Sequence, residues 1–368
     1  MIRAATTQDL KQLVALENHC FDSDRLSQRQ FRYMLTKAHA ATLVMEEAEG
    51  IVGYVLILFS RGTSMARLYS IAVASELRGR GIARQLVEAA ERRTLEEERA
   101  YLRLEIRKDN PASTGLFEAM GYRRFGELPG YYEDQMDGWR YEKALSPDIR
   151  PQPVNVLFYE QTLEFTCGPA SLMMAMRTLN PETPFDRKSE LRIWREATTI
   201  FMTSGHGGCG PFGLALAAVA RGFKVEVRVN DDSVHLIDSV RDERKKEVIR
   251  LVQEDMLEQL RAQNVPVIYG DFGVNELEPR FNAGSIPLVL TSAYAIYRQK
   301  SPHWMVMTGV DEHFIYMHDP YVDYEEGETM VDSINMPIPR SAFNRMSRYG
   351  KAGLRATIIL SLMPDAAE

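Results

Sequence analysis

The stretch Gln161-Thr-Leu-Glu-Phe-Thr-Cys167-Gly168-Pro169-Ala-Ser-Leu sets a cysteine at the mouth of a helix, with an amide side chain a little upstream. Pro169 has the fixed φ favoured in a first helical turn, and Leu172, Met173, Met176 and Leu179 follow at apolar spacings of three and four until Asn180-Pro181 ends the run. At that position unpaired backbone N–H groups and the positive end of the helix dipole favour thiolate over thiol. A thiol mounted this way needs a base. The chain offers one in Pro302-His303-Trp-Met-Val-Met-Thr-Gly-Val310, followed by Phe314-Ile-Tyr-Met-His-Asp319-Pro320. The two runs read as a β-hairpin, and a turn centred near Asp311 places His303 directly across the ladder from Asp319.

The chemistry follows from residue type. Asp319 would hold the His303 imidazole in one tautomer, His303 would take the proton from Cys167 and return it to a leaving amine, and the Gln161 amide would stabilise the oxyanion. A lone cysteine is more often a small buried hydrophobe. Here the amide, the Cys-Gly-Pro helix start, the histidine opening an apolar strand and the Asp-Pro closing its partner occur together, in the chain order of papain-like enzymes. Residues 155–362 resemble cysteine peptidase family 39, the double-glycine leader peptidases. The resemblance implies a papain-like fold, Cys167 as nucleophile, His303 as base, Asp319 as its partner and Gln161 as the oxyanion residue. Those peptidases are usually fused to an export transporter, and no membrane-spanning stretch accompanies this one, so their leader substrate does not carry over.

A chain of 368 residues accommodates two domains, each with its own core. The net charge of −7 argues against nucleic acid as a partner, because that affinity comes mainly from neutralising phosphates. No signal core opens the chain, and the longest apolar run, Ile51 to Phe59, is too short to cross a bilayer, so the expected location is cytoplasmic. Three cysteines, Cys20, Cys167 and Cys209, provide no disulfide framework.

The first part reads as mixed α/β. Ile2 to Ala5 is a strand, Thr7 caps a helix carrying Leu10, Leu13, Val14 and Leu16, and Phe31, Met34 and Leu35 mark a second helix. Strands follow at Ala41 to Glu46, Ile51 to Ser60 and Leu68 to Val73. After the last comes Glu76-Leu-Arg78-Gly79-Arg80-Gly81-Ile82-Ala83, then a helix through Leu86, Val87, Ala90 and Arg93. Strand, glycine turn and helix make a phosphate cradle, with charge from Arg78, Arg80 and Arg84, although a plain strand-to-helix turn reads the same on glycine spacing. Further on, Asn110 caps a helix begun by Pro111 and closed by Gly121.

Arg78-x-x-Gly81-x-Ala83 after a strand, with Leu102-Arg-Leu-Glu105-Ile-Arg-Lys-Asp-Asn110-Pro111 and Gly115-Leu-Phe-Glu-Ala-Met-Gly121-Tyr122, resembles the GCN5-related N-acetyltransferases, notably the bacterial ribosomal-protein alanine N-acetyltransferases. The similarity covers residues 1–145 and implies an acyl-CoA N-acyltransferase fold with acetyl-CoA as cosubstrate. It implies that main-chain groups of Ile71, Ala72 and Val73 bind the pantetheine arm, that Gly79 to Ala83 bind the pyrophosphate, that Asn110 contacts the cofactor, and that Glu105 deprotonates the amine. The tyrosine acid of that family falls at Phe117, which has no proton to donate. Tyr122, Tyr131 or Tyr132 would replace it, or transfer would proceed slowly without an acid, or the domain would bind acetyl-CoA without turnover. Glu105 also reads as an edge-strand carboxylate in water.

Ser146-Pro-Asp-Ile-Arg-Pro-Gln-Pro153 reads as a stiff linker, giving domains at 1–145 and 155–368 around a 146–154 connection. In the second domain Arg187 to Phe201 reads as a helix, Gly205 to Pro211 as a glycine loop, and Arg241 to Glu247 as the wet face of a helix. Val265 to Tyr269, Ile286 to Thr291 and Leu354 to Leu362 join the His303 hairpin in an antiparallel sheet. His206, Cys209, His313 and His318 lack ligand spacing, so no metal is expected. The resulting expectation is an α/β (α+β) bifunctional protein whose thiol domain cleaves a peptide and whose first domain acetylates the new amine. The competing readings are an amidase or transpeptidase, and an acetyl-CoA-sensing first domain.

Overall fold

The computed structural model of the chain describes residues 1–48, 50–145, 154–198, 207–237, 240, 242–324 and 328–363. The chain divides into two compact units, Met1–Arg150 and Pro151–Glu368. The proline segment 146–153 lies outside the described residues, as does His206.

Unit one runs β1 (Ile2–Ala4), α1 (Leu10–Cys20), α2 (Gln28–Thr36), β2 (Ala40–Glu47), β3 (Gly50–Phe59), β4 (Met65–Val73), α3 (Ile82–Glu96), β5 (Tyr101–Arg107), α4 (Pro111–Ala119), β6 (Arg123–Leu128) and β7 (Gly138–Ala144). Its seven strands form one sheet in the order β1-β2-β3-β4-β5-β7-β6. The first cap is at Thr6 rather than Thr7: Thr6 and Asp9 make a reciprocal capping box around one 3-10 turn that leads into α1. Alternation along the strands splits the core in two. Leu13, Phe31, Tyr54 and Leu56 pack under α1 and α2, while Val55, Ile57, Leu86, Leu104 and Phe117 pack under α3 and α4.

The pairing around β4 shapes the rest. Opposite β3, Leu56 faces Ser70 and Ile57 faces Leu68, so Tyr69 is the extra residue of a β-bulge. On its other edge β4 pairs with β5 in parallel over Met65–Arg67 alone. Beyond Arg67 the two strands part, and the wedge between them has an open main-chain edge.

Unit two runs α5 (Cys167–Leu179), α6 (Arg187–Ala197), α7 (Pro211–Val219), β8 (Phe223–Val229), α8 (Glu243–Ala262), β9 (Val267–Tyr269), α9 (Val274–Asn282), β10 (Ile286–Ser292), α10 (Tyr294–Tyr297), β11 (Pro302–Val310), β12 (Phe314–His318), β13 (Met336–Pro339), α11 (Arg340–Met346) and β14 (Ala356–Leu362). Its sheet has the order β13-β12-β11-β10-β14-β8-β9 and is antiparallel except for β8 with β9. Helix α5 packs on β10, β11 and β14, burying Leu172, Met173 and Met174 completely. The helix expected to reach Phe201 ends at Ala197, where Thr198 turns into extended backbone.

Candidate active sites

In unit two, Cys167 is the first residue of α5 and is partly exposed. The turn before it is tight: the Thr166 hydroxyl donates to the Leu163 carbonyl at 2.8 Å. Next to the cysteine a side chain would be crowded, since a Cβ on Gly168 would lie 3.0 Å from Leu214 Cδ1 and 3.2 Å from the Trp304 ring. Glycine therefore lets the head of α5 press onto the strand that carries the base.

His303 lies on β11 opposite Thr291, whose hydroxyl donates to the His303 carbonyl at 2.9 Å. Its Nε2 meets Asp319 Oδ1 at 2.5 Å. The pair forms, but not directly across the ladder. Val306 faces His318, so Asp319 falls diagonal to His303 on the same face of the sheet, still within reach. Asp319 is fully buried and three donors hold it: His303, the Tyr321 N–H at 2.8 Å and the Tyr297 hydroxyl at 2.9 Å. Burial pulls the His303 pKa down, but the Asp319 charge and hydrogen bond, then contact with Cys167, raise it overall to about 10. Nε2 is spent on Asp319, and Nδ1 is left to share a proton with the thiol.

Gln161 is nine-tenths buried. Its N–H donates to the Pro320 carbonyl at 2.8 Å, which ties the cysteine segment to the Asp319 segment. One hydrogen of its amide goes to the Leu163 carbonyl at 2.9 Å. The other two sulfurs sit differently: Cys209 is buried, which pushes its thiol well up, and burial likewise raises Cys20. His318 is structural, with Nε2 against the Val156 carbonyl and Nδ1 accepting from the Asn335 N–H, both at 2.9 Å. No cluster suited to a metal occurs among the described residues.

In unit one, Ile71, Ala72 and Val73 pair with β3 along one edge of β4 and face the wedge along the other. Gly79 and Gly81 have φ of +79° and +76°, left-handed values that glycine adopts without strain. Gly81 precedes α3 and offers no side chain to its first N–H groups. Arg80 reaches Glu47 at 3.6 Å. Asn110 caps α4 by accepting from the Ser113 N–H at 3.0 Å. Glu105 is neither at an edge nor in water. β5 lies inside the sheet, and the Glu105 carboxylate is buried in an ion pair with Arg67 at 2.8 Å, across the mouth of the wedge. Arg67 also donates to the Tyr131 hydroxyl, which brings Tyr131 to this cluster. Phe117 is buried edge-on against Tyr122, their ring centroids 5.1 Å apart.

Residues 156–361, more than half of the chain, match the model of the Peptidase_C39 like family. The chain belongs to that family. The C39-like domain is thus unit two, and residues 8–122 of unit one match the Acetyltransferase (GNAT) family. N-alpha-acetyltransferase 30 of Schizosaccharomyces pombe is 27% identical over 122 residues, covering 32% of this chain and 81% of that protein. The ribosomal-protein-S18-alanine N-acetyltransferase of Escherichia coli superposes with a TM-score of 0.37 at 19% identity, covering 41% of this chain and 98% of that one. Arabidopsis thaliana NAA60, solved in complex with acetyl-CoA, gives 0.36 at 16%, with 39% and 97% covered. Unit one is thus similar to GNAT acetyltransferases over residues 8–122.

Sequence reasoning missed several residues that hold the C39-like site. Tyr297 supports Asp319 from a helix of four residues. Glu190, fully buried on α6, accepts from the Thr162 N–H at 2.8 Å and its hydroxyl at 2.7 Å and so fixes the segment carrying Gln161. In unit one the missed residue is Arg67. For Glu190 the available signal was an acid inside a charged helical run, which is indistinguishable in sequence from a wet helix face.

Proposed function

We propose that the chain is a bifunctional enzyme, an acetyl-CoA-dependent N-acetyltransferase joined to a thiol peptidase. The observation that carries the peptidase half is the buried His303–Asp319 pair at the head of α5, in contact with Cys167. Imidazolium stabilised by Asp319 pairs with a Cys167 thiolate. The thiolate adds to a peptide carbonyl, the second Gln161 amide hydrogen and backbone N–H groups at the start of α5 steady the oxyanion, and His303 protonates the leaving amine. Water, deprotonated by His303, then hydrolyses the thioester and restores the thiol.

The GNAT domain fits acetyl-CoA. The unpaired edge of β4 suits an extended pantetheine arm, and the left-handed Gly79 and Gly81 with the open head of α3 suit a pyrophosphate, flanked by Arg78, Arg80, Ile82 and Ala83. Asn110 lies at the head of α4 for a further contact. Bound acetyl-CoA supplies an activated acetyl thioester. Glu105, positioned by Arg67, accepts the proton of the incoming amine directly or through water, and Tyr131, whose hydroxyl meets Arg67, is the candidate acid. A free α-amine is the product of the C39-like domain and a substrate class of the GNAT domain, which argues for sequential processing.

The test is mass spectrometry of a peptide library incubated with the purified chain, with and without acetyl-CoA, beside Cys167→Ala. New N-termini absent in the variant, and acetylated only with acetyl-CoA, are expected. Intact peptides in every arm would refute peptidase activity on such substrates. One observation favours a second reading. Phe117 is packed in the core where a proton donor is expected, as in a domain that senses acetyl-CoA without turnover. Calorimetry showing binding with no CoA released across an amine panel would select it.

A further inference from the structure

Beside the thiol site lies a cleft of about 460 Å³ whose walls include Glu160, Gln161, Glu164, Phe165, Tyr321 and Val322. One wall is the segment that leads into Cys167, the other the segment that leaves Asp319, and the hydrogen bond from Gln161 to Pro320 joins them at 2.8 Å. The cleft thus lies between the two segments that carry the nucleophile and the acid.

The polar lining is one-sided. Glu160 and Glu164 are its charged groups, and no lysine, arginine or histidine lines it among the described residues. Glu160 accepts from the Tyr324 hydroxyl at 2.9 Å through Oε2. The second observation is independent of charge. Gln161, nine-tenths buried, leaves Oε1 without a partner among the described residues. Its orientation is fixed, because Nε2 donates to the Leu163 carbonyl at 2.9 Å and a flipped amide would set two acceptors together. A buried carbonyl oxygen without a donor is costly, and an N–H brought by a ligand would remove that cost. The rings of Phe165 and Tyr321 add faces that attract a cation.

Resting on the reading of Cys167 as nucleophile, we infer that the C39-like domain selects a peptide carrying lysine or arginine next to the bond it attacks. The ammonium or guanidinium sits between Glu160 and Glu164, and an N–H of the peptide satisfies Gln161 Oε1. An acidic residue there meets two carboxylates and an acceptor, with nothing to pair its charge.

The experiment uses the full chain and three peptidyl vinyl sulfones that differ only in carrying lysine, glycine or glutamate beside the reactive group. Intact-mass spectrometry reads the rate of the adduct on Cys167, normalised to alkylation by iodoacetamide, which reports the thiol alone. The lysine probe is expected to react at least about tenfold faster than the glutamate probe, and high salt should narrow the gap. In Glu160→Gln with Glu164→Gln the ratio should fall towards one. Iodoacetamide labelling with equal rates for the three probes, or a glutamate preference, overturns the inference and leaves the nucleophile standing. Absence of Cys167 labelling by iodoacetamide as well removes the nucleophile reading and this inference with it.

Discussion

Replacing Asp319 with asparagine keeps the shape of the side chain and removes its charge, which makes it the sharpest probe of the C39-like site. The carboxylate accepts from His303, Tyr321 and Tyr297, and asparagine retains one acceptor while presenting a new donor to a group that also donates. The larger effect is on His303. Burial alone lowers its pKa, and the Asp319 charge and hydrogen bond are the main reasons that it stands at about 10 rather than at the usual 6.5. Without that charge the ring is neutral at neutral pH, the thiolate loses its counter-ion, and acylation should fall about a thousandfold or more. Breaking a buried pair costs on the order of 3–5 kcal/mol of stability, less here because the ring neutralises. The sign is fixed by the raised pKa: the pair's contribution to stability is complete below the unfolded value near 6.5 and is lost as pH rises through about 10. Cys167 alkylation by iodoacetamide across pH tests this. The parent should keep its fast phase at neutral pH and lose its histidine-dependent component near pH 10, whereas Asp319→Asn should behave as an ordinary thiol. Superimposable profiles would refute the argument.

Gly168→Ala should lower stability by about 1–3 kcal/mol, because the new Cβ lies 3.0 Å from Leu214 Cδ1 and 3.2 Å from the Trp304 ring; thermal denaturation reads it. Tyr297→Phe removes the hydroxyl that donates to Asp319 Oδ2 and should cost about 1–3 kcal/mol in chemical denaturation, while shifting the pH profile of Cys167 alkylation, which a purely structural tyrosine would leave in place. Glu105→Gln should cut acetyl transfer about a hundredfold or more with little change in acetyl-CoA affinity by calorimetry, because the carboxylate lies across the wedge from Arg67 rather than at the glycine turn.

What was legible in sequence is what short-range chemistry dictates. Cys167-Gly168-Pro169 announces a helix start because glycine and proline have few alternative roles there, and Asn110 with Pro111 announces another. Tyr297, Glu190 and Arg67 were illegible for the opposite reason. Each acts through a partner far along the chain, Asp319, Thr162 and Glu105 respectively. Tyrosine, glutamate and arginine in polar surroundings are compatible with almost any exposed position, and only the fold decides which of them is buried against a partner.

The His303–Asp319 pair shows how narrowly such a reading can succeed. Asp311 accepts from both the His313 and Phe314 N–H groups and so closes the hairpin about a turn centred between residues 312 and 313, beyond one centred on Asp311 itself. From that turn Val310 pairs with Ile315 and Gly309 with Tyr316. Continued without interruption, this register would bring Asp319 opposite Val306, on the face of β11 away from His303. A β-bulge between Met307 and Gly309 prevents it. Thr308 is left out of the ladder, its carbonyl accepts from the Val154 N–H at 2.7 Å, and from Met307 onward the pairing moves by one. Asp319 then falls opposite Met305, which shares a face with His303. A glycine inside a strand pattern is a recognised sign of a bulge, so Gly309 was the clue available in the sequence. The alignment of base and acid thus depends on one unpaired residue in the strand that carries the base, and the site lies where the regular ladder is broken.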